Sequence, residues 1–261
     1  MKSATPARTE RYDRAGNRQS IVLPQPTTLS SPTNPLNPPN HGSDFAPLKR
    51  GPNVREGVGS YFCRMHHLLC LGDSYTIGEA VLLTESFPYQ TVQRLRRAGL
   101  SFAAPEIIAK TGWTTDELLQ HLEGYPLLPR YDFVTLLIGV NNQYRGYAVE
   151  QFEKEFALLL TKAIGLAASP QEVFVLSIPD WGATPFAAGR DTQKISTEIA
   201  HYNHLAYNIC TQNAVSFLHT ASSFGVVKNN AALTACDGLH PSAKELEQWS
   251  ATLAAALQQR L

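Results

Sequence analysis

From Met65 onward the chain alternates short continuous apolar runs with longer segments whose apolar residues recur every three or four positions. The short runs fall at 67–71, 105–109, 132–138, 173–178 and 215–218. Each is strand-sized, and the continuous β-rich character of the best of them, 132–138, is that of a strand covered on both faces. Between them lie helical patterns. Residues 86–98 place Phe87, Val92 and Leu95 on one face, and Thr114 to Glu117 is a capping box that opens a second helix. Residues 148–167 carry Val149, Phe152, Phe156, Leu159 and Ala163 at helical spacing. Ile195, Ile199, Tyr202, Leu205 and Ile209 mark a further helix. Pro241 and a box of Ser242 with Glu245 open the last one, with Leu246, Trp249, Leu253 and Leu257 inward. Strands alternating with helices in this way predict a parallel sheet covered on both faces, because each crossover helix packs back onto the sheet.

Residues 1–64 do not share this pattern. Six prolines fall within 24–39, where fixed φ angles and missing amide donors exclude helix and central strand. The expectation is a disordered, proline-rich extension at 1–64 followed by one folded domain at 65–261. Charge divides at the same place. The chain has 22 basic and 22 acidic residues, but nine basic and four acidic residues lie in 1–64. The remaining domain is therefore net acidic, which argues against nucleic acid or a polyanion as partner. Two readings of 1–64 stand side by side: a native chain that starts at Met65, or a regulatory or targeting extension.

No apolar run approaches the roughly 18 residues of a membrane span. Residues 1–20 lack the apolar centre of a secretory signal, and Glu10 and Asp13 interrupt the basic stretch of a transit peptide, so the expectation is a cytoplasmic chain. Cys63, Cys70, Cys210 and Cys236 form no CxxC pair and read as buried or partly buried free thiols.

In an open parallel sheet, ligands bind beyond the carboxyl ends of the strands. The residues that follow the strands are therefore the candidates for chemistry. They are Gly72-Asp73-Ser74-Tyr75, Lys110-Thr111-Gly112-Trp113, Gly139-Val140-Asn141-Asn142 and, after the fifth strand, Asp237-Gly238-Leu239-His240-Pro241. Together they supply a hydroxyl, a glycine amide, a carboxamide, and a carboxylate three residues before an imidazole. A serine hydroxyl needs a base to be nucleophilic at neutral pH. His240 is the natural one, and Asp237 is close enough in sequence to orient its ring. The Ser74 amide, the Gly112 amide and the Asn141 carboxamide are candidate donors to an oxyanion. This is a parts list for acyl transfer at an ester. Plainer readings accompany each part. Ser74 could be a helix N-cap, Asn141 a turn residue, Gly112 a relief of backbone strain, and Asp237 with His240 a surface turn pair.

The blocks GDSYTIGE, KTGW, IGVNN and DGLHP, in this order, resemble the four blocks of the SGNH or GDSL hydrolase family. The resemblance covers 65–261. It implies an α/β fold, a flavodoxin-like three-layer α/β/α sandwich around a five-stranded parallel sheet. It implies Ser74 as nucleophile, Asp237 and His240 as its triad partners, and Gly112 and Asn141 as oxyanion donors beside the Ser74 amide. It implies no metal and no organic cofactor. The third block departs from the family's usual GxND, since Asn142 stands where the Asp is expected. The chain lacks GxSxG, the nucleophile elbow of the other large serine-hydrolase fold.

The expected activity is hydrolysis of short-acyl carboxylic esters through an acyl-enzyme, with a small-molecule ester as the partner. O-acetylated carbohydrate, small aryl or alkyl esters, and lysophospholipid or acyl-thioester compete as substrates. Acyl transfer to another acceptor uses the same residues, and a non-catalytic binding module is the alternative from a different class. Tyr75, Arg145 and Trp181 are placed as substrate contacts, Arg145 toward an anionic group or else in a surface salt bridge. Phe186 either walls the pocket with Trp181 or packs its own loop. Glu79 reads as structural. His201, His204 and Glu198 have metal-like spacing, for which a solvated helix face is the better reading.

Overall fold

The computed structural model describes residues 8–12, 18–22, 64–220 and 232–261, in two units, Met1–Val58 and Gly59–Leu261. In the first unit β1 (Arg8–Tyr12) pairs antiparallel with β2 (Arg18–Val22). No apolar period predicts this pair, since a strand ladder is made of backbone hydrogen bonds and can form without one. The disorder expected elsewhere in the extension, including the proline-rich stretch 24–39, falls outside the described residues, as does Cys63.

The second unit is built on one parallel sheet of β3 (Leu68–Gly72), β4 (Glu106–Ala109), β5 (Phe133–Leu137), β6 (Val173–Leu176) and β7 (Ser216–Leu218). The order across the sheet is β4-β3-β5-β6-β7. All residues of β3, β5 and β6 are buried, as their largely apolar, β-rich runs lead one to expect. The register aligns Gly72 with Ala109 on one side and Leu137 on the other, so three strands end at one level. The first strand of the domain sits inside the sheet and the chain winds away from it in both directions. A crevice for a ligand therefore opens between the ends of β3 and β5.

The helices are α1 (Ser74–Ile77), α2 (Phe87–Arg97), α3 (Thr115–Gly124), α4 (Val140–Tyr144), α5 (Val149–Leu166), α6 (Thr192–Gln212) and α7 (Ala243–Gln258). α2 packs on α7, while α5 packs on α3 and α6, which gives an α/β/α sandwich. The α2–α7 layer closes on Phe87, Leu95, Leu246, Trp249, Leu253 and Leu257, all buried. Side chains of this size each stabilise the fold by about 1.5–3 kcal/mol when fully buried. The capping box at α3 forms as expected, with Glu117 Oε2 accepting from the Thr114 amide at 2.9 Å.

The box expected at α7 forms only by half. Ser242 Oγ accepts from the Glu245 amide, but Glu245 Oε1 takes the Trp249 indole N–H at 2.9 Å. The Ser242 amide has already donated to Leu233 O, so the carboxylate turns to the buried indole instead. The short helices α1 and α4 were not foreseen, because four or five residues are too few to show a period. Cys70 and Cys210 are buried thiols, both raised to about 12 by burial. Cys236, expected at least partly buried, is exposed, because it sits on the loop that leads to Asp237.

Candidate active site

Ser74 stands at the first turn of α1, directly beyond the end of β3, and is buried. The chain can turn there because Gly72 has no Cβ: one would run into the Thr76 side chain and the Leu137 carbonyl. Asp73 caps α1, its Oδ1 accepting from the Tyr75 amide at 3.0 Å. It is fully buried, and burial raises its carboxyl to about 7 against the pull of the Tyr75 amide.

His240 lies across the crevice on the loop before α7. Its Nδ1 is 2.6 Å from Asp237 Oδ2. A carboxylate only accepts, so this contact places the ring proton on Nδ1 and leaves Nε2 as the free base. The second carboxylate oxygen accepts from the Leu239 amide at 2.9 Å and the His240 amide at 3.0 Å. Burial opposes ionisation of Asp237, but the His240 ring and the two amides outweigh it and hold the carboxyl below its ordinary range. The Tyr75 ring meets His240 edge-on at 5.6 Å and Trp249 at 6.4 Å, which wedges the imidazole from behind.

Ser74, Tyr75, Gly112, Asn141 and His240 line one cavity of about 190 Å³. Thr111, Val140, Tyr144, Trp181, Phe186 and Leu239 complete its wall. Ser74 and His240 share this cavity without a direct hydrogen bond among the described residues. Contacts of this kind commonly tighten only with substrate in place. A larger, more open groove of about 600 Å³ lies on the other side of the 110–113 loop, lined by Lys110, Trp113, His121 and Tyr125. It contains neither Ser74, Asn141 nor His240, so its size does not make it the reactive site.

The 110–113 loop is gripped from α4. Asn141 Nδ2 donates to the Trp113 carbonyl at 3.0 Å, and Arg145 Nη2 donates to the Gly112 carbonyl at 2.5 Å. One turn of helix thus holds two consecutive carbonyls of the loop that carries the Gly112 amide. Gly112 needs its glycine for conformation rather than space: φ is +83°, and the nearest atom to an added Cβ is Arg145 Nη2 at 3.4 Å. Arg145 also bridges through Nη1 to Glu117 Oε1 at 3.2 Å. On the other flank, the Thr111 hydroxyl donates to the Glu79 carboxylate, so Glu79 braces the same loop from the end of α1.

The residues named from sequence divide accordingly. Ser74, Asp237, His240, Gly112 and Asn141 come together. Tyr75 and Trp181 line the cavity, whereas Arg145 is outside its lining and bonded to Gly112 and Glu117. Trp181 is buried and fixed by its indole N–H, which donates to Gln143 Oε1 at 2.8 Å. Gln143 in turn donates to Glu198 at 2.8 Å. Sequence reasoning missed Gln143, whose partners lie 38 and 55 residues away. His201 and His204 are exposed on α6, with His204 against Asn208, while Glu198 is engaged by Gln143 and Lys194.

Asn142 is fully buried, and the structure accounts for it. Its Oδ1 accepts from the Thr115 amide at 3.1 Å and its Nδ2 donates to Thr115 Oγ1 at 2.7 Å. The Thr115 hydroxyl then donates to Glu155 Oε2 at 2.5 Å. A carboxamide suits this chain of donors because Glu155 already takes the threonine's one proton.

Solved structures share this architecture. A lipase/acylhydrolase from Enterococcus faecalis aligns with TM-score 0.62 at 20% identity, over 76% of this chain and 97% of its own. An acetylxylan esterase from Geobacillus stearothermophilus aligns with TM-score 0.57 at 19% identity, over 74% and 93%. A psychrotrophic esterase from Pseudoalteromonas sp. aligns with TM-score 0.55 at 15% identity, over 75% and 98%. At such identities the likeness is one of fold. No curated protein matches the sequence. Among the described residues no helix is long and apolar enough to cross a membrane. The model of the GDSL-like lipase/acylhydrolase family matches residues 70–244, more than half of the sequence, and the chain belongs to that family of hydrolases.

Proposed function

We propose that the domain at 65–261 hydrolyses short-acyl carboxylic esters through a Ser74 acyl-enzyme, with 1–64 an extension outside the catalytic unit. The observation that carries this reading is the meeting of Ser74 with an Asp237-oriented His240 in one small cavity. In the proposed reaction His240 Nε2 takes the Ser74 proton as Oγ attacks the ester carbonyl. The ring, now doubly protonated, is balanced by Asp237 and returns the proton to the leaving alcohol. Water, deprotonated by the same nitrogen, then releases the acid. The oxyanion receives the Ser74 and Gly112 amides and the second Nδ2 hydrogen of Asn141, whose first is held by Trp113. No metal or organic cofactor has a part in this scheme.

The cavity supports a short acyl group. At about 190 Å³ it is smaller than a typical small-molecule pocket of about 300–1,000 Å³. Its far wall is aromatic and aliphatic, which suits an acyl chain better than a sugar ring.

The test is turnover of p-nitrophenyl acetate, butyrate and octanoate by the wild type and S74A. The expected result is a rate that falls with chain length and is lost in S74A, whose far-UV circular dichroism matches the wild type. Undiminished turnover by S74A would sink the proposal. Product analysis with added alcohols separates hydrolysis from acyl transfer.

A further inference from the structure

The wall opposite Ser74 is a triangle of rings. Tyr144 meets Trp181 edge-on at 5.4 Å, and Phe186 lies 6.1 Å from Trp181 and 6.5 Å from Tyr144. All three line the cavity that holds Ser74 and His240. Arg190 is outside the cavity lining but sits against these rings, its guanidinium carbon 5.5 Å from the Tyr144 and Trp181 centroids and 5.0 Å from that of Phe186. The seat is fixed, since Trp181 is tied to Gln143 and Gln143 to Glu198.

Arg190 itself is exposed, and among the described residues no carboxylate lies within ion-pair distance of it. Its neighbour Asp191 caps α6 through the Lys194 amide, and Asp180 is taken by Gly182 and Ser196. A cation–π contact of this kind holds the guanidinium by its charge and uses none of its N–H donors. It also restricts the side chain beforehand, so less entropy is lost when an anion docks. Arg145 is instead anchored by one donor on the Gly112 carbonyl and one on Glu117.

We propose that Arg190, held over Tyr144, Trp181 and Phe186, is a specificity-determining residue that recognises an anionic group on the substrate. The preferred ester then carries an oxyanion, a carboxylate or phosphate, near its scissile carbonyl. This rests on the esterase reading above, and it adds the class of ester: one with a charged acid or alcohol part.

The experiment compares kcat/KM for p-nitrophenyl hydrogen glutarate with that for its methyl ester, in which the distal carboxylate is masked. In the wild type the charged ester should be favoured by about ten-fold, the scale of one charge-assisted hydrogen-bonded contact. In R190Q the ratio should fall to about one, and R190K should recover part of it. A wild-type ratio near one, a preference that survives in R190Q, or a preference for a choline ester would each overturn the proposal. The last outcome would make the rings a cation site. Calorimetry with glutarate and with inorganic phosphate, on the wild type and R190Q, reads the anion site without turnover and tells the two anions apart. Failure of both p-nitrophenyl esters to turn over would refute the esterase reading alone. Absence of binding by either anion, or equal binding in R190Q, would refute the role of Arg190 alone.

Discussion

His240 Nδ1 and Asp237 Oδ2 lie 2.6 Å apart, and the other oxygen of the same carboxylate is held by the His240 backbone amide at 3.0 Å. One carboxylate therefore fixes both the ring and the main chain of one histidine. In D237N the carboxamide can keep an amide acceptor but offers the ring a donor as readily as an acceptor, which releases the tautomer. Steady-state assays should show kcat down by about 10³- to 10⁴-fold with the fold retained. The pH dependence has a definite sign. Because Asp237 is held below its ordinary range, its stabilising contribution is present above the unfolded carboxylate pKa and is lost as pH falls through its folded value. A D237N enzyme at wild-type kcat would exclude this orienting role.

Asp73 behaves in the opposite sense. Burial raises it to about 7, while an unfolded aspartate titrates at about 3.9. Between those values the folded protein holds the extra proton, so stability should fall as pH rises across that window and level off above it. The slope is at most about 1.4 kcal/mol per pH unit. D73N retains a cap acceptor for the Tyr75 amide and cannot ionise. Urea melts of D73N over the same pH range should show a flatter profile, and an unchanged slope would assign the dependence to another group.

Removing Asn141 and loosening its neighbour should have graded effects. N141A deletes a proposed oxyanion donor and the grip on Trp113, and kcat should fall by about 10²- to 10³-fold. R145M leaves every donor in place but frees the Gly112 carbonyl, so its loss of kcat should be smaller than that of N141A. KM should stay near the wild-type value, and R145K should restore part of the rate. A pure KM effect in R145M would return Arg145 to a substrate contact.

Asn142 provides a stability test. In N142D two carboxylates compete for the single Thr115 hydroxyl proton, and one is left short of a donor in a buried site. Thermal or urea unfolding should show a loss of about 1–3 kcal/mol. Adding E155Q, whose amide can donate to the threonine oxygen, should recover part of it. Full stability in N142D would show that the network tolerates the carboxylate.

Much of this was legible in the chain because the relevant signals are local. The continuous β-rich run at 132–138 has the pattern of a strand covered on both faces, and β5 is buried throughout. Asp237 and His240 are three residues apart, so a single turn brings them into contact. The short helices α1 and α4 were illegible because they carry no period, yet they place Ser74 and Asn141.

The amino-acid sequence by itself determined the alternation of elements, the family and the polar residues that follow each strand, since strand burial, capping and close motifs act over a few residues. Tertiary structure decided which of those residues are free to act. Arg145 was open to a substrate contact or a surface salt bridge, and bringing α4 and the 110–113 loop together sets it on the Gly112 carbonyl and Glu117. Trp181 is held by Gln143, 38 residues away, and Arg190 meets one ring from α4 and another from the segment after β6. Such partners are chosen by the order β4-β3-β5-β6-β7, which places the strand ends side by side. That order arises from the packing of helices on both faces of the sheet, a property of the assembled domain that no single segment carries.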